Sequence, residues 1–157
     1  NLINKWYKSK PLVKQYIDTQ RSKPLRNEPC TTILGRMRHF VITDAELNHI
    51  QNEYINTPIQ SAASDMTMLS LLTMDEYIRQ NLQDKAKICT TVHDSIILEV
   101  VDDPEIYVPL AEKCKQIMAE VPKQYIPNCV VPFKADVEVG RKWGAMYEVE
   151  EFINEGH

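Results

Sequence analysis

An ionisable pair lies inside a run of strand-forming residues. The segment is TTVHDSIILEVV, residues 90–101, in which β-branched and apolar side chains flank His93 and Asp94. If residues 86–92 and 95–101 form the two strands of a hairpin, the pair occupies its turn. Two interpretations are open here. Aspartate suits turn geometry by itself, whereas a carboxylate at a hairpin tip can ligate Mg²⁺, which takes few hard oxygen ligands from the protein.

A second candidate is a stripe of polar residues on a predicted helix. The segment NEYINTPIQSAASD places uncharged polar residues four positions apart, so they share one helix face. Carboxamides both donate and accept hydrogen bonds, which suits acceptors in the minor groove of DNA without demanding one sequence. A plain solvated face is the alternative. The stripe consists of Asn52, Asn56, Gln60 and Ser64.

Two arginines near a predicted turn form a third candidate. Residues 30–42, CTTILGRMRHFVI, are typical of two short strands that turn at Gly35, with Arg36 and Arg38 near the tip. Guanidinium groups match the geometry of phosphate oxygens. Arginines at turns are common on any protein surface, so this pattern alone does not establish a site.

A long helix is expected to carry the polar stripe. Thr43 or Asp44 is its predicted N-cap, and it reaches about Leu82, with a kink where Pro58 removes a backbone hydrogen bond. Before it, residues 2–21 are predicted to be helical, with a start or a kink at Pro11. The apolar positions of the long helix that can be buried are Leu47, Ile50, Tyr54, Ile59 and Ala62.

The second half of the chain predicts a hairpin, a helix and a strand. After residues 86–101, Asp103 and Pro104 start a helix to about Ala119, and FKADVEVG alternates with period two as a half-buried strand. The acidic end, EVEEFINEGH, is expected to be frayed. The order of elements indicates an α+β domain, with a largely antiparallel sheet and helices on one face. The inner residues of the helix are Leu110, Cys114, Ile117 and Met118.

Composition is typical of an ordinary globular domain. The chain has 157 residues, of which 43% are hydrophobic and 25% charged. No apolar run approaches the length of a membrane helix, and the first residues lack the apolar core of a signal peptide. The four cysteines form no CxxC pair, which argues against zinc and fits reduced thiols in the cytoplasm.

Charge is distributed unevenly along the chain. The net charge is −4, yet the first forty residues hold nine lysines or arginines and two acidic residues. A basic end on an acidic body indicates an anionic partner at that end. A solvated helix face explains the same pattern, and the sequence alone leaves both interpretations open.

Together these segments resemble the C-terminal part of the family A DNA polymerases, the bacterial DNA polymerase I group with its phage relatives. The matching segments, in order and at similar separations, are TILGRMRHFVI, INTPIQSAASD, TTVHDSIILEV and VEVGRKWG. The resemblance covers roughly residues 2–145. It implies an antiparallel palm-type sheet with a long kinked helix and flanking helices. It also divides the chain into polymerase residues 1–146 and an acidic tail, 147–157.

The resemblance implies roles for individual residues. Asp94 takes the position of one of two metal-binding aspartates, where two Mg²⁺ ions assist phosphoryl transfer from a dNTP to the primer 3′-hydroxyl. His93 matches a histidine beside the primer terminus. Asn56 and Gln60 match residues that contact the minor groove of the nascent base pair. Basic residues, Arg36 and Arg38 among them, would follow the duplex backbone, where counterion release supplies affinity.

The chain departs from the family pattern at two positions. Asn52 stands where the family usually has arginine, which puts one minor-groove donor in doubt. Ser95 stands where the family commonly has glutamate, so it adds no carboxylate near the metal ions. No segment matches the other catalytic aspartate or the helix that binds the incoming nucleotide. We therefore expect a C-terminal fragment that is inactive alone and needs the N-terminal part of the polymerase.

Two other functions are alternatives to polymerisation. One is a non-catalytic module that keeps this fold for DNA binding or for docking in a replication complex. The other is a metal-dependent hydrolase built on His93 and Asp94, which would need further ligands that the remaining histidines do not supply at a suitable spacing. The expected partners are primer–template DNA and dNTP, in the cytoplasm of a bacterial or phage-infected cell. An incomplete domain should also expose apolar surface and self-associate.

Overall fold

The fold combines helices with short antiparallel strand pairs. The computed structural model describes residues 2–43, 45–126 and 128–155, and the chain separates into two compact units, residues 1–63 and 64–157. The helices are α1 (Leu2–Ser9), α2 (Pro11–Ser22), α3 (Leu47–Asn81), α4 (Pro104–Tyr125) and α5 (Val149–Glu155). The strands are β1 (Cys30–Thr31), β2 (Met37–Arg38), β3 (Ala86–Val92), β4 (Ser95–Val100), β5 (Glu138–Lys142) and β6 (Ala145–Glu148).

The first unit begins with two helices joined at a proline. Of the two alternatives predicted at Pro11, a start or a kink, the structure shows a start: Pro11 is the first residue of α2, where its missing amide hydrogen costs no helical hydrogen bond. A short 3₁₀ helix, Pro24–Arg26, follows. Strands β1 and β2 then form the predicted hairpin. Its turn is closed by the amide of Thr32, which donates to the Arg36 carbonyl at 2.8 Å, and Gly35 adopts a φ of +81°.

Helix α3 starts later than predicted. It begins at Leu47, so Thr43 is not its N-cap; the Thr43 carbonyl instead accepts from the Glu46 amide at 3.1 Å in a preceding turn. Asp44, the other predicted cap, lies outside the described residues. The helix continues through Pro58 to Asn81, close to the predicted end.

A small apolar cluster supports the first part of α3. Ile50 and Tyr54 are buried with Cys30, and Phe40 packs against them. The prediction that Ile50 and Tyr54 face inward is therefore confirmed. Ile59 was expected to be buried too, but 60% of it is exposed, so that prediction is wrong.

The hairpin of the second unit matches the sequence prediction closely. Strand β3 pairs antiparallel with β4, and Val92 opposite Ser95 is the last pair before the turn. A register shift between Ile88 and Thr90 leaves Cys89 as the extra residue of a bulge.

Helix α4 has the predicted start but a different end. The side chain of Asp103 accepts a hydrogen bond from the amide of Glu105 at 2.9 Å and caps the helix. The helix runs to Tyr125 rather than to Ala119. Val121 and Pro122 are buried, and this tertiary packing outweighs the local cost of an interior proline. The predicted end near Ala119 is therefore wrong by about two turns of helix.

The C-terminal segment contains more structure than predicted. Residues 133–140 were predicted to be a strand, but only those from Glu138 onward belong to one, β5. Strand β5 pairs with β6, a strand that the sequence did not indicate. The acidic end was expected to be frayed, yet it forms α5. Phe152 is buried there and meets the ring of Tyr107 edge-on, with centroids 5.8 Å apart.

The predicted α+β class is confirmed, but the predicted single sheet is wrong for the described residues. The strands pair as three separate antiparallel ladders of two strands each. Side chains of α3, β3 and α4 build the core of the second unit. Across the described ranges, no helix is both long and apolar enough to cross a membrane. That core consists of Met74, Ile78, Ala86, Leu110, Cys114, Ile117 and Val121.

Candidate carboxylate turn and nucleic-acid interface

His93 and Asp94 form the turn between β3 and β4. With Val92 paired to Ser95, these two residues connect the strands, and His93 adopts a φ of +57°. That left-handed conformation is unfavourable for residues with a Cβ, although histidine visits it more often than most. The tight turn therefore places both side chains at the end of the hairpin, where both are exposed.

Asp94 has no hydrogen bond or ion pair with any other residue that the structure describes. Such a carboxylate fits one oxygen ligand of Mg²⁺, an ion that keeps several water ligands. It does not make a complete site, since the described residues contain no group of three or more His, Cys, Asp or Glu side chains arranged to hold a metal ion. The chemistry available at the turn is therefore one free carboxylate beside one free imidazole.

Apolar side chains of β3 and β4 hold the hairpin against the core of the second unit. Ile88, Ile96, Leu98 and Val100 pack against the core of the second unit. The turn residues themselves make no contact of this kind. Their position is thus determined by the strand register and by the burial of residues several positions away.

The polar stripe on α3 is exposed, as the helical spacing predicts. Asn52, Asn56, Gln60 and Ser64 are all exposed on this helix. Within the described residues, the carboxamides of Asn56 and Gln60 have no hydrogen-bond partner. Both are therefore free to donate to and accept from a ligand.

Side chains from neighbouring elements hold α3 on both sides of Asn56. Pro58 has no amide hydrogen for the carbonyl of Tyr54, which weakens the helix at this point. The next carbonyl, that of Ile55, accepts a hydrogen bond from the Tyr16 hydroxyl at 2.8 Å. Burial raises the pKa of Tyr16, so its hydroxyl keeps its proton and can donate at neutral pH.

Arg38 forms a hydrogen bond with Thr57, the residue that follows Asn56. Its guanidinium donates to Thr57 Oγ1 at 2.9 Å and pairs with Glu53 at 2.7 Å. It also lies over the ring of Phe40, 4.8 Å from the centroid. The prediction that Arg38 contacts DNA stays a prediction; the structure adds that this guanidinium connects β2 to the helix carrying the stripe.

Arg21 also reaches the stripe, and sequence reasoning missed it. Its Nη2 donates to Oδ1 of Asn52 at 3.3 Å, and its own carbonyl accepts from Gln51 Nε2 at 3.0 Å. The basic character of the first forty residues was a signal for Arg21, but nothing local distinguishes it from its basic neighbours. Tyr16 carried no signal, because its partner lies 39 positions away.

The tip of the first hairpin presents Arg36. The residue is exposed, and its amide donates to Thr32 Oγ1 at 3.1 Å, which fixes the backbone of the turn. Arg21, Arg36, Arg38 and the stripe as far as Gln60 belong to the first unit, whereas His93 and Asp94 belong to the second. The structure thus contains two candidate regions, one in each unit.

Comparisons with known proteins point to one family. The sequence model described as DNA polymerase family A matches residues 1–145. A DNA polymerase of Bacillus phage SP01 is 31% identical over 153 residues, covering 93% of this chain and 16% of that protein. DNA polymerase I of Geobacillus stearothermophilus is 30% identical over 145 residues, with 90% and 16% covered. The chain therefore spans about a sixth of the length of these relatives, and no solved structure gives a significant match.

Proposed function

The chain belongs to DNA polymerase family A, and on this premise we propose that it is the C-terminal portion of a template-directed DNA polymerase. The complete enzyme would add nucleotides from dNTPs to the 3′ end of a primer. The observation that carries the proposal is the free carboxylate of Asp94 at a hairpin turn, within a chain matched to this family over residues 1–145.

Asp94 is the proposed metal-binding residue of this portion. A bound Mg²⁺ pair would stabilise the charge that develops on the transferred phosphoryl group. Asp94 can supply one oxygen ligand, and its exposure leaves room for water and substrate oxygens. The remaining ligands would come from the part of the polymerase that precedes this chain, so the chain alone would not extend a primer.

His93 is proposed to bind the primer terminus. Its imidazole is exposed at the same turn and has no partner among the described residues. It can therefore donate a hydrogen bond to a primer oxygen without losing one inside the protein. The constrained two-residue turn limits the positions that both side chains can take relative to each other.

The stripe on α3 is proposed to contact the minor groove. Asn56 and Gln60 present free carboxamides, which can pair with purine N3 and pyrimidine O2 in any sequence. Arg36, Arg38 and the basic helices α1 and α2 would lie near the phosphates and supply salt-dependent affinity. DNA and dNTP would thus be the substrates, and the N-terminal part of the polymerase would be the principal protein partner.

Self-association of the isolated chain is a further part of the proposal. Several large apolar side chains are exposed, among them Leu2 at 86% and Trp143 at 71%. Burying them in a second copy is favourable when the rest of the polymerase is absent. Sedimentation of the chain alone should show a dimer, and a monomer at high concentration would contradict this.

The function is tested by primer extension with Mg²⁺. The complete polymerase should extend a primer, and Asp94→Ala should abolish extension, whereas Asp84→Ala, another exposed carboxylate of the same unit, should not. The isolated chain should show no extension until the N-terminal part is added. Near-normal extension by Asp94→Ala would reject the catalytic assignment and favour the non-catalytic DNA-binding module.

A further inference from the structure

Arg21 is attached to the polar stripe by two hydrogen bonds. Its guanidinium donates to the side chain of Asn52 at 3.3 Å, and its backbone carbonyl accepts from Gln51 at 3.0 Å. Gln51 and Asn52 are adjacent on α3, whereas Arg21 lies in the last turn of α2. The two contacts together fix where this guanidinium lies along the stripe.

The charge of Arg21 is not neutralised by a neighbour. Arg26 pairs with Glu28 at 2.6 Å, and Arg38 pairs with Glu53 at 2.7 Å. Arg21 has no carboxylate partner among the residues that the structure describes. Its single side-chain partner is a neutral amide oxygen, so the guanidinium keeps its full charge and, of five N–H donors, most remain available.

Arg21 and the stripe form a continuous row of hydrogen-bond donors. Residues four apart on a helix are separated by about 6 Å along its axis. Asn56 and Gln60 present free carboxamides at two consecutive steps, and at the preceding step Asn52 holds the guanidinium of Arg21. The row therefore consists of one cation followed by two neutral amides, on an exposed face.

We propose that Arg21 contacts DNA, donating to acceptors in the minor groove next to those contacted by Asn56 and Gln60. Asn52 is then a positioning residue, because it holds the guanidinium at the groove-facing row rather than letting it follow the nearest phosphate. This proposal rests on the proposed function. It adds a cation to a row that would otherwise be neutral, and a charged donor binds a groove acceptor more strongly than a neutral one.

The first test is the affinity of the complete polymerase for primer–template DNA, measured by fluorescence anisotropy. Arg21→Ala should weaken binding about tenfold, because it removes a charge-assisted hydrogen bond. Arg26→Ala is the matched control, since it removes the same charge from the same unit at a site already paired with Glu28; a change within about twofold is expected. Melting temperatures of both variants should equal that of the parent, because both side chains are exposed.

The second test separates a groove contact from a phosphate contact. Primer–template DNA in which 3-deazapurines replace purines near the primer terminus lacks the N3 acceptor. The parent should bind this DNA less tightly than ordinary DNA. Arg21→Ala should show a smaller loss than the parent does, because only the N3 contacts of Asn56 and Gln60 remain to be lost. If Arg21→Ala instead lowers the salt dependence by about one phosphate contact and loses as much affinity for the deazapurine DNA as the parent does, the groove proposal is overturned.

A third test moves the cation. Asn52→Arg places a guanidinium directly on the row, so it should restore affinity in the Arg21→Ala background; failure to do so would count against the proposal. Asn56→Ala distinguishes this proposal from the proposed function. If Asn56→Ala weakens binding and Arg21→Ala does not, the inference about Arg21 is wrong and the stripe stands. If neither does, the groove-binding function of the stripe itself is wrong.

Discussion

The two candidate regions are held in place by different forces. The stripe on α3 depends on polar contacts, in which Tyr16, Arg38 and Gln51 form hydrogen bonds between the helix and its neighbours. The turn at His93 and Asp94 has no such contacts with the residues that the structure describes. It is positioned by a β-ladder whose apolar side chains pack on a core. In both arrangements the candidate side chains at the centre, Asn56 and Gln60 on the helix and His93 and Asp94 at the turn, have no hydrogen-bond partner among the described residues.

This difference indicates what each region can tolerate. A hydrogen bond contributes about 1 kcal/mol net, so the stripe can shift when a single polar contact is lost. A hairpin above an apolar core keeps its register unless the core itself fails. We therefore expect surface substitutions to affect the stripe and core substitutions to affect the turn.

The largest effect is expected from the core below the turn. Ile117→Ala removes a buried side chain and leaves a cavity, which should lower the free energy of unfolding by about 3 to 4 kcal/mol. Hydrogen exchange at the backbone amides of β3 and β4 should be faster in this variant. Leu72→Ala, at a site 62% exposed, is the control and should change stability by less than about 0.5 kcal/mol. Equal effects of the two variants would show that the turn does not depend on this core.

A pH effect of about 2 to 3 kcal/mol is expected from the same core. Burial raises the pKa of the Cys114 thiol to about 11. In the unfolded chain the thiol loses its proton at a lower pH than in the folded protein. Its contribution to the free energy of unfolding is therefore fully present below about pH 8. That contribution is lost as the pH rises toward 11. Chemical denaturation across this range should show the decline, and Cys114→Ala should show a flatter one. Parallel curves for the two proteins would contradict the burial argument.

A smaller effect is expected from the contacts of the stripe. Tyr16→Phe removes the hydrogen bond to the Ile55 carbonyl beside Pro58, which should cost about 1 kcal/mol of stability and weaken DNA binding. Tyr54→Phe is the matched control, because the Tyr54 hydroxyl donates to the carbonyl of Glu28 at 2.9 Å, outside the helix. It should cost similar stability but leave DNA affinity unchanged. The account of the stripe fails if both variants bind DNA equally.

The smallest effect on stability is expected at the turn. His93→Gly relieves a left-handed conformation, φ +57°, but it raises the backbone entropy of the unfolded chain. These two effects oppose each other, so stability should change by less than about 1 kcal/mol. Primer extension by the complete polymerase should nevertheless fall, because the imidazole is lost. A large drop in melting temperature would show that His93 has a structural role. It would contradict the claim that the strands and the core, and not the turn residues, position this turn.

Local patterns predicted the elements around both regions. The hairpin at residues 86–100, the capping of α4 by Asp103 and the start of α2 at Pro11 each depend on neighbours in sequence, and all are confirmed. The exposed face of Asn52, Asn56 and Gln60 follows from helical spacing alone.

Contacts between distant residues could not be predicted. Helix α4 continues through Pro122 because that residue is buried, and α5 forms where Phe152 packs on Tyr107. The pairing of Arg38 with Glu53 and of Arg21 with Asn52 likewise depends on how the elements pack. The sequence therefore identified the exposed candidate side chains, but not the side chains whose contacts hold these elements in place.

The most direct measurement compares nucleotide addition and DNA affinity in the complete polymerase. Single-turnover rates and dissociation constants would be determined for the parent, Asp94→Asn, Asp84→Asn and Asn56→Ala. The account predicts that Asp94→Asn slows addition at least about 100-fold, since metal stabilisation is worth several kcal/mol, with DNA affinity within about twofold of the parent. Asn56→Ala should chiefly weaken DNA binding, and Asp84→Asn should change neither. A parent-like rate of addition by Asp94→Asn would contradict the central claim that this turn carries a catalytic metal ligand.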